Sequence, residues 1–290
     1  MTRPPVPGPV AVLGATGRQG GAVVRHLLRR GIPVRAVSRA PDGSAARWLA
    51  REGAEVVGAN QVDEASLRVA FRGVRALFSV QDFYGAEGGP AGEVDQGRAV
   101  AQAARWERVP VVVQSTMAAG QDVAAVPHFL SKRRVETELL RVGVPHVLLG
   151  TVWFMDNLFD PAVGGMATLP VMAGALGRHA PVAALAVDDI GAVAAAVLAD
   201  PEPYLGGRLD LVGDRLSVAQ MIDLLRRAEI RVPAWAVVPL PALMAAGRAP
   251  EFVQQLRWQR RQGFQVRPAP LLDVPRLRSF SEFLRGHRSG

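Results

Sequence analysis

Short apolar runs alternate with amphipathic stretches through the first 150 residues of the chain. Six of these runs have the length and composition of buried strands, and the stretches between them carry hydrophobic residues at helical spacing. The runs begin near Val10, Val34, Glu55, Ala76, Val111 and Val147. Alternation this regular predicts an α/β fold, a doubly wound parallel Rossmann sheet with right-handed crossovers.

The rhythm of the pattern changes after Thr151. Residues 154–180 are rich in Gly, Ala, Met and Pro without a clear period, and one further helix–strand unit follows them. We therefore predict a Rossmann domain at 1–153, to which 182–213 returns, and a smaller C-terminal α+β lobe at 154–290. The lobe is expected to hold a substrate or a partner.

Composition excludes several kinds of chemistry. The 290 residues contain no cysteine, which rules out disulfides, thiolate nucleophiles, zinc–thiolate sites and iron–sulfur clusters. No apolar run reaches the roughly 18 residues that span a bilayer, and the N-terminal segment lacks an apolar signal region, so we expect a cytoplasmic protein without a membrane partner. The net charge of +8 comes from scattered basic residues, which favours anionic small-molecule ligands over direct nucleic-acid binding.

A glycine-rich turn lies between the first predicted strand and the first predicted helix. Gly14, Gly17 and Gly20 leave room for a tight turn and for a pyrophosphate close to the backbone. The helix start that follows offers N–H groups to the phosphates. In this context the pattern predicts a dinucleotide site, and its GxxGxxG spacing resembles that of the short-chain dehydrogenase superfamily.

The end of the second predicted strand bears on the choice of cofactor. An NAD site places a carboxylate there to bind the ribose 2′-hydroxyl, whereas this chain has Ser38 and Arg39. A guanidinium binds a 2′-phosphate in a bidentate manner, and a carboxylate would repel it. We therefore predict that residues 1–153 form an NADP-binding domain that prefers NADP(H) to NAD(H), with Arg39 on the 2′-phosphate. The alternative for Arg39 is a solvated surface arginine.

The single lysine of the chain marks the place where chemistry is expected. Of the 34 basic side chains 33 are arginine, and the exception is Lys132, which unlike arginine can release a proton. Typical short-chain dehydrogenases carry a serine after strand five and a Tyr-xxx-Lys pair on the next helix. Here Ser115 follows strand five, but His128 stands in the place of the tyrosine. The candidate catalytic residues are Lys132, His128 and Ser115, with His128 either a general acid–base or a helix-start residue facing the cleft.

Other polar and aromatic residues have a structural interpretation. Asp188 and Asp189 precede an alanine-rich helix and are predicted to cap it rather than to form a catalytic pair. Four further histidines show no metal-ligand spacing, so we expect no metal site; they are His26, His146, His179 and His287. Core or pocket-wall positions in the C-terminal lobe are predicted for Trp235, Phe252 and Trp258.

Several segments together resemble the NmrA-like family, a branch of atypical short-chain dehydrogenases. They are GATGRQGG, the Ser-Arg pair after strand two, HFLSKRRVETELL, WFMDNL and GGRLDLVGDRLSVAQM, so the resemblance covers most of the chain. It implies an NADP-binding Rossmann domain with a small second lobe. It also implies a set of cofactor contacts, namely Gly14, Thr16, Gly17, Arg18, Gln19, Gly20, Arg39, Asn60, Gln61, Gln81, Phe83, Lys132, Phe154 and Asn157.

The family that the chain resembles divides in function. Regulatory members bind a dinucleotide without turning it over and report redox state to a protein partner, whereas other members reduce quinones or aromatic ethers. The missing tyrosine favours a redox-sensing regulatory protein, in which NADP(H) shifts a population of conformers. The alternative is an NADPH-dependent reductase acting on a quinone-like or aromatic small molecule. A monomer and a homodimer are both compatible with the sequence.

Overall fold

The computed structural model describes residues 7–83, 87–118, 126–232, 250–262, 266 and 274–288. In that part of the chain seven parallel strands form one sheet and three further strands form a second. In chain order the strands are β1 (Val10–Val12), β2 (Val34–Ser38), β3 (Glu55–Gly58), β4 (Ala76–Ser79), β5 (Val112–Met117), β6 (His146–Thr151), β7 (Trp153–Phe154), β8 (Pro181–Leu185), β9 (Arg208–Asp210) and β10 (Asp214–Ser217).

The large sheet has the strand order β3-β2-β1-β4-β5-β6-β9. Val10 of β1 therefore lies between Val34 of β2 and Ala76 of β4. The chain runs outward from β1 to β3, then returns to the other side of β1 and continues outward again. This reversal is the switch point of a doubly wound sheet, and it opens a crevice at the carboxyl ends of β1 and β4. The predicted α/β Rossmann fold is confirmed.

Helices cover both faces of the large sheet. The helices of the described residues are α1 (Arg18–Arg29), α2 (Ser44–Arg51), α3 (Glu64–Phe71), α4 (Pro90–Trp106), α5 (Pro127–Val142), α6 (Thr168–Leu176), α7 (Val187–Ala199), α8 (Val218–Arg227), α9 (Pro250–Gln262) and α10 (Phe280–Arg288). One face is packed by α1 and α7 around Val23 and Ile190, and the other by α3, α4 and α5 around Phe71 and Leu139. Because both faces are covered, every residue of β1 and β4 is buried.

The residues after β6 build a second core beside the sheet. Residues 155–167, which show no period in the sequence, form three short 3₁₀ turns ahead of α6. They share this core with α6, α8 and α10 through Met155, Leu169, Met221 and Phe280. The segment 182–213 contributes to both sheets, because β8 pairs with β7 and β10 whereas β9 pairs with β6. The predicted division of the chain into two domains stays a prediction.

Three expectations concern the remaining surface and core. None of the helices in the described residues is both long and apolar enough to cross a bilayer. The described residues also bring together no three His, Asp or Glu side chains in a metal-binding cluster. Trp258 is buried, with its ring centroid 5.6 Å from that of Phe129, and is a core aromatic. Trp235 and the side chain of Phe252 lie outside the described residues.

Candidate dinucleotide-binding site

A cleft of about 310 Å³ lies at the carboxyl ends of the strands, at the switch point. Its volume is at the lower end of the range for small-molecule sites. The sequence-predicted residues that line it are Gly14, Thr16, Gly17, Arg18, Gln19, Gly20, Arg39, Asn60, Gln61, Gln81 and Phe154. Ser38, which the sequence places beside Arg39 at the end of β2, also lines the cleft, and the sequence reasoning missed Asp82 and Gln96, which line it too. The role of each predicted lining residue toward a ligand stays a prediction.

The glycine-rich turn has the geometry that a pyrophosphate requires. Gly14 has a φ of +61°, and the amide of Gly17 donates to the Gly14 carbonyl at 2.9 Å. A Cβ on Gly20 would lie 2.2 Å from the Gly14 oxygen, so only glycine fits. Gly17 is the N-cap of α1 and supplies no side-chain cap. The first N–H groups of α1 are therefore available to an anion, and the turn fits the phosphates of a dinucleotide.

The end of β2 fits the 2′-phosphate that the sequence predicts there. Ser38 is buried, and its hydroxyl accepts from the amide of Ala40 at 3.1 Å, which fixes the start of the loop. Arg39 is exposed and lines the cleft. Within the described lining of the cleft the one carboxylate is Asp82, which follows β4 rather than β2. The residues at β2 are thus cationic or neutral, as a phosphate requires.

Amide and hydroxyl side chains at the ends of β4 and β5 form a connected network. Gln114 Nε2 donates to Gln81 Oε1 at 2.8 Å, and Gln81 Nε2 donates to Ser79 Oγ at 2.8 Å. The Ser115 hydroxyl donates to Gln19 Oε1 at 2.7 Å. These contacts tie the floor of the cleft to the glycine-rich turn. Ser115 itself is buried and is not part of the cleft lining.

The start of α5 carries the other two candidate catalytic residues. The His128 ring packs between aromatic rings, with centroids 5.4 Å from Phe83 and 4.6 Å from Phe129. Lys132 Nζ lies 2.7 Å from Oε1 of Glu93, a fully buried carboxylate on α4 that the sequence analysis did not single out. His128, Lys132 and Phe83 are not part of the lining of the cleft.

A polar bridge joins the glycine-rich turn to the 3₁₀ segment beyond β7. Arg18 Nη1 donates to Asn157 Oδ1 at 2.9 Å and lies 3.4 Å from Asp160 Oδ2. Arg18 and Asn157 were both predicted to contact the cofactor, and the structure brings them together with each other. Asp160 was not predicted, and nothing in its local sequence marks it.

The prediction that Asp188 and Asp189 cap the helix after β8 is wrong. The N-cap of α7 is Ala186, and the carboxylate of Asp156 accepts from the Val187 amide at 2.9 Å. Asp188 and Asp189 lie inside the first turn of α7, where they bind groups from other elements. Both carboxylates face Arg278, at 3.2 Å and 2.7 Å.

The two carboxylates differ in their electrostatics. The hydrogen bond from His26 and the charges of Arg278 and Arg25 lower the pKa of Asp188 to about 2. Burial raises the pKa of Asp189 above its usual value, although Arg278 donates to it through both its amide and its side chain. The cluster fastens α7 to α1 and to the segment ahead of α10.

A doubly wound sheet with a tight glycine turn and an uncapped helix start at its switch point defines a dinucleotide-binding protein of the Rossmann type. The model of the NmrA-like family matches residues 8–243, so the chain belongs to the NmrA-like family. A curated relative is the NmrA-like family domain-containing oxidoreductase FrzB of Cladobotryum sp., 30% identical over 225 residues. That match covers 68% of this chain and 66% of the relative, just under two thirds of its length.

Two solved structures share the fold along nearly the whole chain. The NADPH-dependent quinone oxidoreductase QOR2 of Escherichia coli, complexed with NADPH, has a TM-score of 0.76 at 20% identity, over 97% of this chain and 100% of that one. NmrA, a negative transcriptional regulator in complex with NADP, has a TM-score of 0.66 at 20% identity, over 98% and 92%. The fold is thus shared by a reductase and by a regulator, both with a nicotinamide dinucleotide bound.

Proposed function

We propose that the chain is an NADP(H)-dependent reductase that passes hydride to a small conjugated acceptor such as a quinone. The observation that carries this proposal is the cleft at the switch point, where the glycine-rich turn, Arg39 and the polar residues that follow β3 and β4 line one cavity. The relative FrzB is named an oxidoreductase, which supports the same reading.

NADP(H) rather than NAD(H) is the proposed cofactor. Arg39 lines the cleft beyond β2, and a guanidinium there stabilises a 2′-phosphate through charge-assisted hydrogen bonds. The reduced nicotinamide supplies a hydride, that is, one proton and two electrons. The chain's own residues then have three tasks: to bind the phosphates, to hold the acceptor, and to stabilise the anion that the acceptor becomes.

Lys132 is the proposed electrostatic and proton-donating group. Addition of hydride to a quinone or an enone leaves a delocalised oxyanion, and one proton completes the reduction. Lys132 is on α5, the helix that follows β5, and its ammonium is held at 2.7 Å from Oε1 of Glu93 on α4. It is a donor with no acceptor lone pair, suited to an oxyanion, and solvent restores its proton. A tyrosine is dispensable in this chemistry, because the acceptor needs little acid catalysis.

A single-turnover experiment tests the proposal. The protein is mixed anaerobically with stoichiometric NADPH and a panel of quinones and enones, and the absorbance of the reduced nicotinamide is followed. We expect loss of the signal above a protein-free control with at least one acceptor. The loss should slow at least tenfold in Lys132→Met and should persist in Arg134→Met, which removes an exposed charge from the same helix. Bound NADPH that stays reduced across the panel would contradict the proposal.

A regulatory protein is the second candidate, and the Arg18 bridge favours it. The phosphates of a dinucleotide would compete with Asp160 for Arg18, and this would loosen the 3₁₀ segment that Arg18 holds. The cofactor would then shift the segment between two positions. Asp160→Asn removes the competitor, and we expect dinucleotide affinity to rise about two- to fivefold, the worth of an exposed ion pair. Dinucleotide affinity is measured by fluorescence titration, with Trp153 beside the segment as the reporter. An affinity that is unchanged in Asp160→Asn would argue against competition for Arg18.

A further inference from the structure

Glu93 is a buried carboxylate that the proposed chemistry does not by itself explain. It lies in the first turn of α4, and its side chain is fully buried. Both of its partners belong to α5: the Ser131 hydroxyl donates to one oxygen, and Lys132 Nζ lies 2.7 Å from the other. A buried charge is retained only when it is paired and hydrogen-bonded. Lys132 and Ser131 together meet that requirement.

The packing of α4 against α5 sets the distance between the two charges. One turn beyond Glu93, a Cβ on Gly97 would lie 2.5 Å from Cγ2 of Val135, which is itself one turn beyond Ser131. The glycine thus lets the two helices approach closely at the register that brings Glu93 to Lys132. Valine is stiff at χ1 and cannot turn aside without moving the backbone. The ion pair therefore has a fixed geometry that the helix contact maintains.

We propose that Glu93 is a positioning residue for Lys132, and that its buried carboxylate holds the ammonium of the chain's single lysine at the edge of the cofactor cleft. Gln96, three residues further along α4, lines the cleft, so this end of the helix borders the site. The Lys132 side chain remains 23% exposed. Glu93 occupies one of its three N–H donors, which leaves the other donors available to a ligand.

The inference rests on the proposed function only for what the Lys132 ammonium does to the acceptor. The experiment that tests the position of Lys132 needs no turnover. Lys132 is the single lysine of the sequence, so an amine-acylating reagent reports on this side chain and on the N-terminal amine, which peptide mass spectrometry separates. The measurement is the acylation rate of Lys132 in the folded protein, in the chain unfolded in guanidinium, and in the folded protein with saturating NADPH.

Four variants make the experiment selective. Glu93→Gln keeps the shape and removes the charge, and Glu93→Asp keeps the charge on a shorter arm. Glu138→Gln is the matched control, since Glu138 pairs with Arg98 and Arg141 on the same two helices without touching Lys132. Gly97→Ala presses α4 away from α5 and leaves both charged side chains chemically unchanged. It serves as the second probe if Glu93→Gln does not fold.

The expected pattern is specific to positioning. Lys132 should be acylated at least tenfold more slowly in the folded wild type than in the unfolded chain, and NADPH should slow it at least fivefold further. In Glu93→Gln and Gly97→Ala the rate should rise about tenfold and protection by NADPH should fall below twofold. Glu93→Asp should restore part of both effects, and Glu138→Gln should match the wild type.

Two results would overturn the inference. One is an equal rate in the folded and unfolded wild type. The other is a Glu93→Gln protein with wild-type rate and wild-type protection by NADPH, which would give Glu93 a merely structural role. A protein that shows the expected labelling but reduces no acceptor would leave the inference standing and would count against the reductase proposal alone.

Discussion

The contact between α1 and α7 can be tested through Gly191. A Cβ added to Gly191 would lie 2.6 Å from the carbonyl carbon of Ala22 and 2.8 Å from its oxygen and its Cβ. Ala22 is fully buried in the middle of α1, the helix whose N-terminus receives the proposed pyrophosphate. Carbon atoms need about 3.5 Å, so Gly191→Ala would force the two helices apart by roughly 1 Å at their closest point.

The change in stability that Gly191→Ala causes follows from two opposing effects. Alanine in a helix is more favourable than glycine by about 1 kcal/mol, whereas overpacking a rigid core costs about 1–3 kcal/mol. The obstacle here is main chain, which cannot rotate away, so the cost lies at the upper end. We expect Gly191→Ala to be less stable by roughly 1–2 kcal/mol, a fall in Tm of about 2–8 °C for a domain of this size.

The assay compares two glycines that lie in helices. Gly286 on α10 has nothing within 4 Å of its hypothetical Cβ, so Gly286→Ala should be neutral or slightly stabilising. Urea unfolding and thermal melts give the stability, and fluorescence titration gives the NADPH affinity. The start of α1 moves with Ala22, so affinity should fall about three- to tenfold in Gly191→Ala. A Gly191→Ala protein as stable as Gly286→Ala would refute the argument.

Two further predictions concern charge. Arg39→Glu should weaken NADP(H) binding about ten- to a hundredfold more than NAD(H) binding, and equal losses in competition titrations would remove the 2′-phosphate assignment. Asp188 has a lowered pKa, so its stabilisation is present above about pH 4 and is lost as the pH falls toward 2. The carboxylate is partly exposed, and after allowance for screening Asp188→Asn should cost about 1 kcal/mol at neutral pH. In urea unfolding the difference from wild type should shrink between about pH 4 and pH 2, the interval between the usual and the lowered pKa of Asp188; a constant difference would contradict the ion-pair account.

The fold was predictable from the sequence because parallel strands that are covered by helices on both faces appear in the sequence as short apolar runs. Each of the six strands predicted before residue 150 is present, and the glycine turn stands between β1 and α1 as expected. The small sheet was not predicted. Its β7 is only two residues long, and β10 has exposed and charged positions, so neither resembles a buried strand. The 3₁₀ turns at 155–167 have no period that a helix pattern would detect.

The candidate site was predictable where a local constraint selects the residue. Glycine is required at Gly14 and Gly20 by a positive φ and by a close carbonyl, and such requirements leave a pattern in the sequence. Glu93 and Asp160 left none, because their partners lie 39 and 142 residues away and meet them only in the folded chain. The error at Asp188 and Asp189 has the same origin, since Arg278 is about 90 residues distant.

The missing tyrosine, which in the sequence favoured a regulatory protein, has a different meaning once the contact between Glu93 and Lys132 is taken into account. In a Tyr-xxx-Lys pair the lysine acts through the tyrosine, which takes a proton from an alcohol or returns it. Here His128 packs between Phe83 and Phe129, and the ammonium of Lys132 is bound to a carboxylate on another helix. An ammonium can donate a proton and stabilise an anion, but it cannot act as the base that alcohol oxidation requires. We therefore expect the proposed reductase to reduce conjugated acceptors and to leave simple alcohols unoxidised.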